Sequence, residues 1–259
     1  MIKTIGPHKG LLVARSNDKD ILGVAQDGGS VSTLLQGCLN DGYSGALVCS
    51  RNNNWRPSPF VATTKQDLLA AAGTSYVNPS MLQGLKTITD GRFALVATAC
   101  QVKALRHLQS RGNRAAKQIQ MVIGLLCSES YLYHSFVEEK LQQEMGIEPT
   151  KIKSMNIKGK LIISLQDGTA VEIPLKQLRP YTRKSCGVCT DFTCEQADIS
   201  VGSVGLNGYN FLITRTPAGQ SLVNTLLSEG LLVTSPLAEH SRALKLLLTL
   251  SAKKKANRG

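Results

Sequence analysis

The stretch Arg92–Cys127, RFALVATACQVKALRHLQSRGNRAAKQIQMVIGLLC, decides the fold. Two apolar runs, Phe93 to Ala97 and Met121 to Leu126, have the length and composition of buried strands, and Val102 to Ser110 between them reads as a helix. Strand, helix and strand in that order predict a parallel pair with a helical crossover. Cys100 and Cys127 each follow one of these runs, where a strand would end and a loop begin. Strand ends are where α/β proteins place chemistry, so both thiols are site candidates.

Outward from this unit the alternation continues, with helices expected from Met81 to about Ile88 and from His134 to Met145. Earlier in the chain, Leu11 to Ala14 and Tyr43 to Ser50 read as strands, and Lys19 to Val24 as a helical turn. Phe60 to Ala62 opens a short strand before Thr64, which with Asp67 forms a capping-box signature for a helix to Ala72, stopped by Gly73. In GVAQDGGSVSTLLQGCL, Gln26 to Gly29 is a turn, Ser30 a helix N-cap, and Val31, Leu34, Leu35 and Cys38 form an apolar helical face. A glycine turn opening a helix presents free N–H groups that suit a phosphate or a flavin edge, although such a turn is also an ordinary loop. Cys38 and Cys49 are expected in the core.

After residue 150 the pattern changes. KIKSMNIKGKLIISLQDGTAVEIPL alternates strands with turns at Lys158-Gly159 and Asp167-Gly168, which predicts antiparallel hairpins. Tyr209 to Thr214 is then a strand, Ala218 to Leu227 a helix ending near Gly230, and Leu237 to Leu250 a last amphipathic helix. The fold class expected is α/β: a mostly parallel or mixed sheet flanked by helices, an antiparallel hairpin section and a cysteine-rich loop. That loop is CGVCTDFTCEQADISVGSVG, from Cys186 to Gly205. Its C-x-x-C pair with Cys100 and Cys127 would make four soft thiolate ligands, suited to an iron–sulfur cluster, with zinc as the rival.

The chain has 259 residues, seven cysteines and a net charge of +12. No apolar leader or bilayer-length run is evident, so a reducing cytoplasm and no membrane span are expected. The positive balance calls for an anionic partner. With 5% aromatic residues and no basic run interleaved with aromatics, nucleic acid is not expected. Lys253-Lys254-Lys255 reads as a solvated tail, and His8, His107, His134 and His240 as surface residues.

The strings AQDGGSVSTLL, WRPSPFVATTKQDLLAAAGTSY, ATACQV, GLLCSE, IKGK and CGVCTDFTCEQADISVGSVG, in this order, resemble the beta subunit of coenzyme F420-reducing hydrogenase and its relatives in formate dehydrogenases. The resemblance runs from about Leu11 to about Gly230. It implies FAD and one 4Fe-4S cluster, and hydride exchange between the flavin and the deazaflavin coenzyme F420. It makes Cys100, Cys127, Cys186 and Cys189 the cluster ligands. Cys194 departs from the small residue expected in the family, which leaves the choice between Cys189 and Cys194 open.

By the same resemblance Gln26, Asp27, Gly28, Gly29, Ser30 and Thr33, then Thr63 and Thr64, then Ser75, Tyr76 and Asn78 border the flavin. Residues 1–80 would form an N-terminal segment contributing to the flavin site, and 81–259 the α/β FAD and iron–sulfur domain, or both one continuous domain. Lys158 and Lys160, with Arg179 and Arg183 behind them, are placed on the anionic deazaflavin; solvated lysines on a turn are the alternative. The partner implied is an oxidoreductase subunit bearing further iron–sulfur clusters. A ferredoxin-linked tetrapyrrole reductase with the same cofactors and a non-catalytic zinc module are the competing readings.

Overall fold

A computed structural model describes residues 3–257. In chain order its strands are β1 Gly10–Ser16, β2 Gly45–Arg51, β3 Pro57–Ala62, β4 Phe93–Thr98, β5 Ile119–Leu125, β6 Ile152–Ile157, β7 Lys160–Leu165, β8 Ala170–Pro174, β9 Ile199–Gly202, β10 Asn210–Thr214 and β11 Leu232–Ser235. Its α-helices are α1 Lys19–Val24, α2 Ser30–Asn40, α3 Lys65–Ala70, α4 Ala99–Ser110, α5 Arg114–Lys117, α6 Leu175–Leu178, α7 Lys184–Gly187, α8 Pro217–Ser228 and α9 Ser241–Lys255.

Eight strands form one sheet in the order β11-β1-β10-β9-β5-β4-β2-β3, and β6, β7 and β8 form a second, antiparallel one. The large sheet is mixed. Its centre is parallel, β2 with β4, β4 with β5 and β5 with β9, while the flanking pairs are antiparallel. Residues before 81 supply β1, β2 and β3 to it.

Helices cover both faces, which is why β4 from Phe93 to Ala97 and β5 from Met121 to Leu125 are continuously apolar rather than alternating. On one face Leu34, Leu35 and Cys38 of α2 pack with Val223 and Leu226 of α8 over Ala14, Ala94, Ile123 and Leu212. A Cβ on Gly37 would come within 2.8 Å of a Leu226 methyl, so the glycine permits that close crossing. On the other face Val102 and Leu105 of α4 pack with Leu95 and Val122, and Ala243 and Leu247 of α9 with Val13, Phe211 and Ile213. Full burial of each such Leu or Ile contributes about 1.5–3 kcal/mol.

Several elements differ from expectation. Met81–Thr87 winds as a 3₁₀ helix, and His134–Glu144 as a π-helix. Leu237–His240 is a 3₁₀ turn before α9, which runs on through the three lysines. Helix α4 starts at Ala99, so Cys100 lies in its first turn rather than in a loop. The N-cap of α2 is Gly29, left-handed at φ 69°, and not Ser30. Thr64 caps α3 with the expected reciprocal bonds to Asp67.

Candidate functional site

Because β2, β4, β5 and β9 are parallel, Arg51, Thr98, Leu125 and Gly202 finish at one edge of the large sheet. The antiparallel neighbours bring Ser16, where β1 ends, and Asn210, where β10 begins, to the same edge. Cys100 and Cys127 follow β4 and β5 there. The small sheet is tied to this edge: Gln26 Nε2 donates to Asn156 Oδ1 at 3.0 Å, the Trp55 indole N–H to the Ile152 carbonyl at 2.9 Å, and Lys158 Nζ to Asn207 Oδ1 at 3.1 Å. Trp55 adopts φ 59°, an unusual conformation for a bulky residue.

Cys100, Cys186 and Cys189 lie within charge range of Cys127. Cys127 feels the charge of the other three, and its thiol is pushed up to about 12, first by burial and then by Cys186. Burial likewise raises the Cys186 thiol, with Cys100 and Cys189 adding to the rise. Among the described residues no three His, Cys, Asp or Glu side chains stand in metal-holding geometry. The thiols turn instead to local partners: Cys127 Sγ to the Glu129 carbonyl at 3.7 Å, Cys189 Sγ to the Asp191 carbonyl at 3.6 Å, and Cys100 Sγ to Thr98 Oγ1 at 3.5 Å. In kind and number the donors fit an iron–sulfur cluster: four sulfurs from three converging segments, the softness iron prefers. Cys194, fully buried at φ 57°, faces the core instead, its sulfur filling the space that a Cβ on Gly124 would take.

The segments expected to border a flavin also meet. Gln26 Nε2 donates to Tyr76 Oη at 3.1 Å, Thr74 N–H donates to Gln26 Oε1 at 3.1 Å, and Ile157 N–H donates to Tyr76 Oη at 3.0 Å. Asp27 accepts from the Ser203 hydroxyl at 2.5 Å, and burial raises its pKa above the usual carboxylate value. Ser30 and Thr33 are buried and internally bonded, Ser30 Oγ to the Ala14 carbonyl and Thr33 Oγ1 to Ser16 Oγ. Gly28 is pressed against β10, where an added Cβ would lie 2.6 Å from Asn210 Oδ1 and 2.8 Å from Tyr209 Cα. Thr63 and Thr64 are exposed and serve the α3 cap, and Ser75 Oγ donates to the Val77 carbonyl.

The flavin-side loop and the thiol loops are laced directly. Ser130 Oγ donates to the Tyr76 carbonyl at 3.2 Å and accepts from the Asn78 N–H at 3.1 Å, while the Tyr131 N–H donates to the same Tyr76 carbonyl. Arg183 donates to the Asn78 carbonyl at 2.5 Å through Nη2, and through its backbone N–H to the Ser130 carbonyl. Its buried Nε has no partner among the described residues. Arg183 therefore joins the two loops, and Arg179 is exposed. The lysines part company: Lys158 lies near Asp27, whereas Lys160 is ion-paired with Glu172.

Sequence reasoning passed over two cations. Arg51 closes β2, donates to the Ala72 carbonyl at 2.7 Å, stacks 5.0 Å from the Trp55 ring, and has its pKa lowered by burial, with no carboxylate in ion-pair range among the described residues. Its signal was a charged residue closing an apolar strand. Lys254, read as a solvated tail residue, is 8% exposed and bonded to the Cys186 carbonyl at 2.9 Å.

The two family models of the "Coenzyme F420 hydrogenase/dehydrogenase, beta subunit", one for its N-terminal and one for its C-terminal part, match residues 11–86 and 90–240. The coenzyme F420 hydrogenase subunit beta of Methanothermobacter thermautotrophicus is 36% identical, over 97% of this chain and 92% of that protein. The coenzyme F420-dependent sulfite reductase of Methanocaldococcus jannaschii is 32% identical over 79% of this chain and 35% of its own length. A chain in a solved structure of the F420-reducing [NiFe] hydrogenase complex from Methanosarcina barkeri superposes with a TM-score of 0.90 at 31% identity, covering 98% of this chain and 91% of that one. No helix among the described residues is long and apolar enough to cross a membrane. The strand-edge arrangement, the thiol segments and these matches agree: the chain belongs to the coenzyme F420 hydrogenase/dehydrogenase beta subunit family.

Proposed function

We propose that this chain is the electron-transfer subunit of an F420-linked oxidoreductase complex, holding FAD and one 4Fe-4S cluster and exchanging a hydride with coenzyme F420. The observation that carries the reading is the lacing of Tyr76 and Asn78 to Ser130 and Arg183, each three residues from a thiol, Cys127 or Cys186. Two redox groups at this edge would lie side by side, as electron transfer between them requires.

Bound FAD would supply the exchange between one-electron and two-electron chemistry that a cluster and a deazaflavin each lack. The chain's share is placement. Cys100, Cys127, Cys186 and Cys189 would hold the cluster. Gln26 and Tyr76 fix the distance between the glycine turn and β6, and Lys158 and Arg51 offer positive charge to phosphates or carboxylates. The small sheet is held against the edge by Asn156, Ile152 and Lys158. No side chain is required as a general base, and the histidines sit apart: His134 pairs with Glu138 and Glu139, and His240 bonds Ser235.

Anaerobic purification with iron, sulfide and flavin analysis, followed by F420 reduction with an artificial electron donor, tests this. A flavin band with a broad iron–sulfur shoulder and F420 turnover are expected. A colourless zinc protein, or a coloured one inert toward F420, would overturn the proposal.

A further inference from the structure

Helix α9 buries a single stripe, Ala243, Leu247, Ser251 and Lys254, at helical spacing. The first two enter the core beneath β1 and β10. Lys254 continues the stripe to the thiol edge while Lys253 faces solvent and Lys255 pairs with Glu195. The Lys254 ammonium donates to the carbonyl of Cys186 and to that of Ser128, the residue after Cys127. No carboxylate lies within ion-pair distance of it among the described residues. A cation shielded from water without a counter-charge is costly, so a ligand-bearing site beside it is expected to provide one. Helix-dipole compensation does not account for the contacts, because both acceptors belong to other segments. Lys254 also lies beyond residue 240, where the family match ends.

We propose that Lys254 is the counter-charge of the thiol-bound cluster, bracing the Cys127 and Cys186 segments and making the cluster easier to reduce. The inference rests on the iron–sulfur reading above. When a low-potential one-electron donor such as dithionite gives up an electron, the cluster gains one negative charge and takes no proton. A fixed positive charge nearby stabilises that product more than the oxidised form, since net charge and hydrogen bonding near the sulfurs set the potential.

The experiment is an anaerobic dithionite titration followed by electron paramagnetic resonance on the whole chain, with iron content measured in parallel. Lys254→Gln, with iron retained, should shift the reduction equilibrium at least about tenfold toward the oxidised form, about 59 mV for one electron, and Lys254→Arg should stay near wild type. Loss of iron in Lys254→Gln with retention in Lys254→Arg also supports the counter-charge. An unchanged potential in iron-loaded Lys254→Gln, or loss of iron in both variants, would reduce the lysine to a neutral brace and overturn the inference. If the wild-type chain itself binds no iron–sulfur cluster, it is the underlying reading that fails.

Discussion

Cys189 and Cys194 are near neighbours in the chain with opposite surroundings. Cys189 is partly exposed and its charge acts on Cys127 and Cys186, whereas Cys194, which also feels Cys127 and Cys100, is enclosed against Gly124 and Ala197, and burial lifts its thiol far above the ordinary range. Serine at Cys127, Cys186 or Cys189 is therefore expected to remove most of the iron, while Cys194→Ala keeps it and costs about 1 kcal/mol of stability for the lost packing. Iron analysis and a denaturation curve on each variant decide the matter; iron loss in Cys194→Ala would move the ligand role there. Asp27 gives a pH prediction. Its raised pKa means that the folded chain holds the proton more tightly than the unfolded one. Ionised Asp27 thus penalises folding above its folded pKa, and the penalty disappears as pH falls below the unfolded value. Asp27→Asn should stabilise the protein at about pH 7, and the gain should vanish near about pH 3, as followed by urea unfolding at several pH values.

Among the elements, the α2 start shows why a glycine-rich turn is hard to interpret from sequence. Gly29 is left-handed and an added Cβ would lie 2.7 Å from an Ile21 methyl, while Gly28 lies against the Tyr209 backbone. Both serve packing before any ligand. Gly29→Ala and Gly28→Ala should each cost about 1–3 kcal/mol, read as a lower denaturation midpoint at unchanged m. A smaller loss would return the turn to the ligand alone. The π-helix His134–Glu144 escaped notice because Phe136, Val137 and Leu141, its buried residues, also satisfy α-helical spacing.

Across the whole molecule the net charge is +12, and the two hairpin lysines show that basic residues close in the chain differ in what they face. Lys160 is neutralised by Glu172, whereas Lys158 reaches toward Asp27 and Asn207. Lys158→Gln is expected to raise the KM for coenzyme F420 a few-fold at low salt with little change in kcat, and Lys160→Gln to leave both unchanged. The effect should fade above about 0.1 M salt, where screening acts over about 10 Å. Equal effects from both substitutions would show that the pairing with Glu172 does not hold Lys160 out of the site.

The sequence by itself determined the alternation that builds the parallel centre, the hairpins after residue 150, the Thr64 cap and the family, because each is written in local periodicity, turn residues or motif order. It also singled out Cys100, Cys127, Cys186 and Cys189, by strand ends, C-x-x-C spacing and resemblance. Only the tertiary structure showed that the first strands join the same sheet, that Cys194 faces the core and that Arg183 ties two loops together. It alone separated Lys158 from Lys160 and drew Lys254 out of a basic tail to the thiols. The reason is physical: a side chain's charge and reach are local, but its partners come from segments far away in the chain, and burial and pairing exist only once those segments have met.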